Sequence, residues 1–277
     1  MQQRAMAISP AEYESFRNYL QDACGILLGT GKEYLVSSRL NGIMREVGVG
    51  TLGELTKMIK SPGQSRLKVR VIDAMTTNET FWFRDIGHFI LLKETILPDL
   101  NQQRGGAIRI WSAACSSGQE PYNISMIAED YQAQKGSGRQ VQVQATDISS
   151  KVLDEAKNGV YCGLAVERGL TLDQQKRYFI PRDKCLEVKP EIRRRVSFRS
   201  QNLAESYQSL GRFDVIFCRN VLIYFSNDLK KDIVDRMANA LNPGGYLFLG
   251  STESLNQVTK RFEMKVGHGG ISYRLKA

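Results

Sequence analysis

The stretch IRIWSAACSSGQEPY, residues 108–122, decides the fold of this 277-residue chain. Its first half is rich in the apolar residues of a buried β-strand, and its second half is a run of small residues that ends at a helix beginning near Gln119 or Glu120. Ligands of doubly wound sheets bind beyond the carboxyl ends of the strands, where loops of small residues let the backbone approach closely. The stretch therefore predicts a strand, a ligand loop and a helix of an α/β fold.

Further short strands follow, separated by segments long enough for crossover helices. The β-type runs are QVQVQATD (140–147), FDVIFCR (213–219), YLFLG (246–250) and the final GISYRLKA (270–277). Helices are predicted at 120–135, 149–158 and 227–241, the last one stopped by NPGG at 242–245. This alternation predicts a doubly wound, mostly parallel sheet over residues 106–277.

Three parts of the chain depart from this alternation. Residues 1–75 have helical periodicity punctuated by glycines and predict a small all-helical domain. Residues 76–105 form a linker, with a helix from about Thr80 to Leu92 that ends before Pro98. Between about 177 and 200, CLEVKP and RRVSFRS lie near each other without a helix between them, which predicts a small antiparallel β insert.

Composition excludes several classes of protein. No stretch approaches the roughly 18 apolar residues of a membrane-spanning helix, and the N-terminus lacks the apolar core of a secretory signal, so we expect a cytoplasmic protein without membrane insertion. Five cysteines without a CxxC pair and only two histidines predict neither disulfides nor zinc. The cysteines favour a reducing compartment.

The formal charge of +9 favours a polyanionic partner, which is nucleic acid, a membrane surface or an acidic protein face. Residues 177–200 alone hold eight Lys or Arg against three Asp or Glu. A solvated basic face without a partner is the ordinary alternative for such a run. Charge therefore leaves the partner open.

The ligand loop and the next strands indicate an adenosine ligand. Only Gly118 is present where a dinucleotide fingerprint needs three glycines, so a pyrophosphate cradle is not expected. Asp147, at the end of the second strand, is placed to accept hydrogen bonds from both ribose hydroxyls, although a helix N-cap is an equal alternative for it. Arg219 and Asn220 fall at the carboxyl end of the strand FDVIFCR, where a packing role is less expected than a ligand role.

Six ordered motifs resemble the CheR family, the chemotaxis receptor glutamate O-methyltransferases. They are TTNETFWFR (76–84), RIWSAACSSGQEPY (109–122), TDIS (146–149), QNL (201–203), CRNVLIYF (218–225) and LFLGSTES (247–254). The resemblance implies a class I, Rossmann-like methyltransferase domain that uses S-adenosylmethionine, releases S-adenosylhomocysteine and needs no metal. One departure is Gln119, where many relatives carry glutamate.

The resemblance also implies a set of site residues. The residues implied to contact the cofactor are Asn78, Thr80, Arg84, Glu120, Asp147, Asn202, Leu203, Arg219 and Asn220. Arg84 is the candidate for holding the incoming carboxylate, with Tyr224 beside it. A glutamate side chain has a reference pKa near 4.3 and is ionised at pH 7, so it needs no general base, and alignment of the reactants suffices. Of Phe81, Trp82 and Phe83, we expect at least two to serve core packing.

The expected partner is the cytoplasmic methylation region of chemotaxis receptors. Lys32, Arg39 and Arg45 lie at near-heptad spacing and form one broad basic helix face for that acidic region, with a solvated helix as the alternative. In relatives the insert is a three-stranded subdomain, and in those with a longer, glycine-containing loop it docks a receptor C-terminal pentapeptide. Here the loop from Phe179 to Leu186 has no glycine and is about three residues shorter, so we expect methylation independent of that peptide.

Two other functions remain open from the sequence. A nucleic-acid methyltransferase shares the fold and the charge, but the loop after the fourth strand is RNVLIY, without the prolines typical of base-amino methylation. An inactive cofactor-binding scaffold would keep the same motifs. We therefore expect a monomeric protein methyltransferase that binds no nucleic acid.

Overall fold

The computed structural model describes residues 8–103, 105–135 and 138–276. Its first domain consists of α1 (Pro10–Cys24), α2 (Glu33–Val47), α3 (Leu52–Lys60) and α4 (Ser65–Met75). Capping boxes start α1 at Ser9 and α3 at Thr51, where a hydroxyl and a glutamate satisfy the free backbone N–H groups. The amphipathic helices bury one shared core, which explains why this segment folds as a domain.

The linker differs from its prediction at both ends of the helix. The helix begins at α5 (Ile86–Leu91), continues through a π-helical stretch (Leu92–Ile96) and ends with α6 (Leu97–Gln102). Phe83 and Asp85 take positive φ angles of 52° and 56°, which prevents a helix from starting at Thr80. Pro98 cannot donate to the carbonyl four residues earlier, and the wider π turn before it accommodates the missing bond, so the helix passes through Pro98.

Ten strands follow in the described part of the chain. They are β1 (Ile108–Ala113), β2 (Val141–Asp147), β3 (Val160–Cys162), β4 (Phe179–Arg182), β5 (Cys185–Val188), β6 (Val196–Ser200), β7 (Phe213–Cys218), β8 (Leu241–Phe248), β9 (Phe262–Gly267) and β10 (Gly270–Leu275). Seven of them form one sheet in the order β6-β2-β1-β7-β8-β10-β9, with β10 antiparallel to both of its neighbours. The other pairs are parallel.

The helices between the strands are α7 (Gln119–Lys135), α8 (Ser150–Asn158), α9 (Leu164–Glu167), α10 (Leu172–Tyr178), α11 (Pro190–Arg193) and α12 (Asn227–Ala240). The linker helix and α7 pack on one face of the sheet, and α12 packs on the other. Strand order reverses between β1 and β7, so the fold is the predicted doubly wound, Rossmann-like one with its switch point at β1. Among the described residues, no helix has the length and apolarity to cross a membrane.

The β insert differs from its predicted range of 177–200. It is the antiparallel sheet β3-β5-β4, so it begins near residue 160 and includes α9 and α10. RVSFRS is β6 and pairs with β2 in the main sheet, because α11 reverses the chain after β5. The insert also carries a disulfide between Cys162 and Cys185, where we expected none. Their 23-residue separation hides the pairing, which arises because β3 and β5 place the two residues opposite each other.

Candidate active site

A cleft lies at the switch point, beyond the carboxyl ends of β1, β2 and β7. It brings together all ten residues for which the sequence predicted a cofactor or catalytic role. These are Asn78, Thr80, Arg84, Glu120, Asp147, Asn202, Leu203, Arg219, Asn220 and Tyr224. Their individual roles remain predictions, but the topology gathers them from five separate parts of the chain.

Asp147 fixes the shape of the β1 loop. Its Oδ2 accepts a hydrogen bond from the Ser116 N–H at 2.8 Å, and its Oδ1 accepts one from the Ser149 N–H at 2.9 Å. Burial raises the pKa of this carboxyl above its ordinary value. Each oxygen keeps a further lone pair, so the carboxylate has capacity left for a ligand hydroxyl.

Gly118 lets the same loop pass close to α8. Its φ is +95°, and an added Cβ would lie 2.8 Å from the Ala156 Cβ, so a larger residue would push the loop into the helix. Ala114 and Ser116 also take positive φ angles, of 59° and 50°. The run of small residues is therefore needed for a loop that turns sharply beneath the cleft.

Arg219 is buried and makes all its observed contacts with the protein. It donates to Glu120 Oε2 at 2.8 Å, to Asp85 Oδ2 at 2.7 Å and to the Arg84 carbonyl oxygen at 2.5 Å. Burial pushes the pKa of Asp85 up, but the Arg219 guanidinium outweighs it and holds that pKa below its ordinary value. Arg219 thus ties the linker to α7 at the edge of the cleft.

Sequence reasoning missed Asp85 and Glu253. Asp85 directly follows the motif TTNETFWFR, and Glu253 lies within the motif LFLGSTES, so both stood beside a quoted signal. Glu253 Oε2 accepts from the Asn220 N–H at 2.7 Å and from the Gly250 N–H at 2.8 Å. Because Asn220 has a φ of 58°, this carboxylate stabilises a backbone conformation that few residues adopt.

The linker places three aromatic residues in two different environments. Trp82 and Phe83 are buried in the core, which confirms that at least two of the three serve packing, while Phe81 lines the cleft. Arg84 is half-buried, and its guanidinium carbon lies 5.5 Å from the Phe81 ring centroid. Its recorded side-chain hydrogen bond is one to the Glu79 carbonyl oxygen at 3.2 Å, so the guanidinium keeps free N–H groups at the cleft.

The helical domain forms one wall of the cleft. Cys24, the last residue of α1, and Ile26, two residues after it, line the cleft. The Leu27 N–H donates to the Tyr224 carbonyl oxygen at 2.8 Å, and the Asn202 side-chain amide donates to the Ala23 carbonyl oxygen at 3.0 Å. The first domain is therefore part of the site.

The three basic residues predicted to recognise substrate lie outside the cleft and differ in their contacts. Lys32 and Arg45 are exposed. Arg39 is half-buried and donates to the carbonyl oxygens of Met75 at 2.7 Å and Thr76 at 3.1 Å. Lys32 and Arg45 are therefore available to a partner, whereas Arg39 anchors the start of the linker.

Asn123 indicates that the cleft suits a polar ligand. This α7 residue is fully buried and lines the cleft, and both polar atoms of its side-chain amide lack a partner in the protein. Buried amides are normally paired, so these two atoms suit polar groups of a bound cofactor. Sequence reasoning missed Asn123, although it follows the motif RIWSAACSSGQEPY directly.

Comparison with known families agrees with this division into two parts. Residues 11–76 match the CheR methyltransferase all-alpha domain, and residues 78–270 match the CheR methyltransferase SAM binding domain. The chain belongs to the CheR methyltransferase family. The cleft lies mainly within the SAM binding domain of this CheR methyltransferase, with one wall from the all-alpha domain. Among the described residues, no group of three or more His, Cys, Asp or Glu is placed to hold a metal ion.

Several CheR relatives match over nearly their full length. A chemotaxis protein methyltransferase of Pseudomonas putida is 48% identical over 275 residues, covering 98% of this chain and 100% of the relative. One of Pseudomonas aeruginosa is 49% identical over 277 residues, with the same coverage of both chains. The chemotaxis protein methyltransferase of Escherichia coli is 34% identical over 265 residues, covering 94% of this chain and 90% of the relative.

Proposed function

We propose that this protein methylates glutamate side chains in the cytoplasmic region of chemotaxis receptors, with S-adenosylmethionine as the methyl donor and S-adenosylhomocysteine as the product. The observation that carries the proposal is the position of Arg84. It places a guanidinium with free N–H groups in the same cleft as the acidic residues Glu120 and Asp147. The relatives' names, chemotaxis protein methyltransferases, support the choice of substrate.

The chemistry needs alignment rather than a base. When bound, S-adenosylmethionine supplies a methyl group activated by its sulfonium. Transfer of that methyl group to a receptor carboxylate oxygen would leave the electron pair of the carbon–sulfur bond on sulfur, so the site would need no group that moves a proton. Arg84 orients the carboxylate, and Tyr224 lines the same cleft, where its carbonyl oxygen accepts the hydrogen bond from the Leu27 N–H of the helical domain.

The thiols that line the cleft are unsuited to an intermediate role. Burial raises the pKa of Cys24 to about 11 and raises the pKa of Cys115 well above its ordinary value. Both thiols stay protonated at neutral pH and are poor nucleophiles. Their state favours direct transfer to the receptor over a methylated enzyme.

Methyl transfer from labelled S-adenosylmethionine tests the proposal. The purified protein is incubated with receptor cytoplasmic fragments, DNA or RNA, and methyl esters are scored by the methanol that alkali releases. We expect label on the receptor fragment alone, lost when its acceptor glutamates are changed to glutamine. Label on nucleic acid would support a nucleic-acid methyltransferase, and cofactor binding without any transfer would support an inactive scaffold.

The insert supports methylation without a receptor C-terminal pentapeptide. The edge strand β4 contains Pro181, which has no N–H to donate to an added strand. The turn between β4 and β5 is only Asp183 and Lys184, with Asp183 at a φ of 52°. Titration with the pentapeptide, and methylation of receptors truncated to lack it, test this part. Micromolar binding, or activity lost on truncation, would contradict it.

The proposed function places the protein in the cytoplasm, as a monomer that binds receptors without entering the membrane and without binding nucleic acid. Light scattering of the purified protein, alone and with a receptor fragment, measures the stoichiometry. A mass of one chain is expected for the free protein. A stable dimer would contradict the monomer.

A further inference from the structure

The β insert is attached to the linker beside the cleft. The Trp82 indole N–H donates to the Ala165 carbonyl oxygen at 2.6 Å. Gly169, with a φ of +96°, lies so close that an added Cβ would be 2.0 Å from the Trp82 carbonyl oxygen. These two contacts fix the turn after α9 against the linker, and Arg168 lies between them in the sequence.

Arg168 places a second guanidinium at the rim of the cleft. Its guanidinium carbon lies 3.9 Å from the centroid of the Phe81 ring, within the range of a cation–π contact. The guanidinium carbon of Arg84 lies 5.5 Å from the same centroid, and Phe81 lines the cleft. The two guanidinium carbons are therefore no farther apart than the sum of those two distances.

Arg168 is open to solvent and held by a weak ion pair. Its side chain is 56% exposed, and its Nη1 lies 3.1 Å from Oε1 of Glu79, whose side chain is 66% exposed. Exposed pairs of this kind contribute little, because solvent screens the two charges. A carboxylate of a partner is therefore able to replace Glu79 at small cost.

We propose that Arg168 is a substrate-recognition residue, which binds a second carboxylate of the receptor helix while Arg84 holds the reacting one. The inference rests on the proposed function. Side chains three or four residues apart on a helix lie roughly 5–6 Å apart, which is within the separation that the shared Phe81 ring allows. The pair of arginines then favours acceptor glutamates that have an acidic neighbour one turn away.

The test is Arg168→Gln, with Arg182→Gln as the matched control. Arg182 also lies in the insert, is 62% exposed and is paired with a glutamate, Glu187. Arg182→Gln therefore removes the same charge from a similarly exposed ion pair. We expect Arg168→Gln to raise the receptor KM about tenfold, as loss of one charge-assisted contact does, while kcat and cofactor affinity stay unchanged. The control should leave all three unchanged.

A second pair of measurements separates recognition from a structural role. Glu79→Gln frees Arg168 and should lower the receptor KM, but not when Arg168→Gln is also present. Receptor fragments whose neighbouring acidic residue is changed to glutamine should lose the difference between wild type and Arg168→Gln.

Two kinds of result would overturn the inference. One is an equal KM for Arg168→Gln and Arg182→Gln, and the other is a loss confined to kcat or to cofactor affinity. Both presuppose an active wild type. An inactive wild type would instead refute the proposed function itself.

Discussion

Arg84 is held loosely enough for its chemistry to be separated from its contribution to stability. Its observed side-chain hydrogen bond, to the Glu79 carbonyl oxygen, is exposed, so Arg84→Ala should change the unfolding free energy by less than about 1 kcal/mol. Methyl transfer should fall about 100-fold, because the reacting carboxylate loses its orienting partner. Arg84→Lys should recover only part of the rate, since lysine lacks the planar fork that matches a carboxylate. Turnover at the wild-type rate in Arg84→Ala would make the residue structural.

Asn123 is expected to lower the stability of the cofactor-free protein and to strengthen cofactor binding. Its buried amide is unpaired in the protein, so Asn123→Leu removes an unsatisfied polar group, keeps the branched shape of the side chain, and should keep or raise the melting temperature without cofactor. The same change removes hydrogen bonds to the cofactor and should weaken its affinity about tenfold. Thermal unfolding and calorimetry measure the two effects. A fall in melting temperature with unchanged cofactor affinity would mean that the amide serves the fold.

The residues that the sequence predicted are those whose partners are local or whose motif is contiguous. Asp147 is the last residue of its strand and accepts a hydrogen bond from the Ser149 N–H, two residues on, so pattern and structure coincide. Asp85, in contrast, accepts a hydrogen bond from Arg219, which lies 134 residues away in the sequence. The hydrophobic periodicity of the sequence does not predict this contact, because it exists only when β7 lies beside β1 in the folded protein. The contiguous motifs therefore predicted the residues that line the cleft, but not the half-buried carboxylates of Asp85 and Glu253 that hold Arg219 and Asn220 in place.

At the scale of elements, the N-terminus of α8 is capped by a residue of the helical domain. The Ser149 side chain makes no capping bond. Instead Asp73 of α4 accepts from the Ser150 N–H at 3.0 Å and from its hydroxyl at 2.7 Å. Because α8 begins three residues after Asp147, the last residue of β2, the cap couples the helical domain to the cofactor side of the cleft.

Asp73→Ala should therefore destabilise the protein by about 1–2 kcal/mol, the usual loss for an N-cap residue. Asp154→Ala is the control, because Asp154 lies on the same helix and its recorded contact is an exposed pair with Lys157. Denaturant unfolding of both variants measures the difference. Equal stability of the two would show that the interdomain cap contributes nothing.

The elements also show where sequence patterns fail. The runs CLEVKP and RRVSFRS both indicate short strands, but only the pairing of β6 with β2, from Val143 and Val196 onward, shows that β6 belongs to the main sheet. The linker helix was predicted six residues too early, since Phe83 and Asp85 take positive φ angles in the segment that Arg219 contacts from a distant part of the chain. Cys162 and Cys185 likewise meet only because the insert folds back on itself. The local sequence pattern predicted whether a segment is a helix or a strand. Which strand it pairs with, and where a helix begins and ends, depend on contacts that exist only in the folded protein.

At the scale of the whole molecule, charge is expected to govern the encounter with the receptor. The chain carries a net charge of +9, with Arg84 and Arg168 near the mouth of the cleft and Lys32 and Arg45 exposed at α2. An acidic receptor helix is then attracted over a distance that salt shortens, from about 10 Å at 0.1 M to about 3 Å at 1 M. This attraction should increase the rate of receptor binding and leave the rate of methyl transfer within the complex unchanged.

The expected result is a steep fall of kcat/KM for receptor methylation as salt rises, with kcat and cofactor affinity nearly constant. Replacing Lys32 and Arg45 by glutamate should lower kcat/KM at low salt and flatten the salt dependence, because the reversed charges repel the acidic region. Replacing the exposed Lys260 and Lys276 by glutamate makes the same change in net charge beside β9 and β10, and should have a much smaller effect. Salt-independent methylation, or an equal loss in both double variants, would mean that α2 is an ordinary solvated helix and that recognition depends on the cleft rim alone.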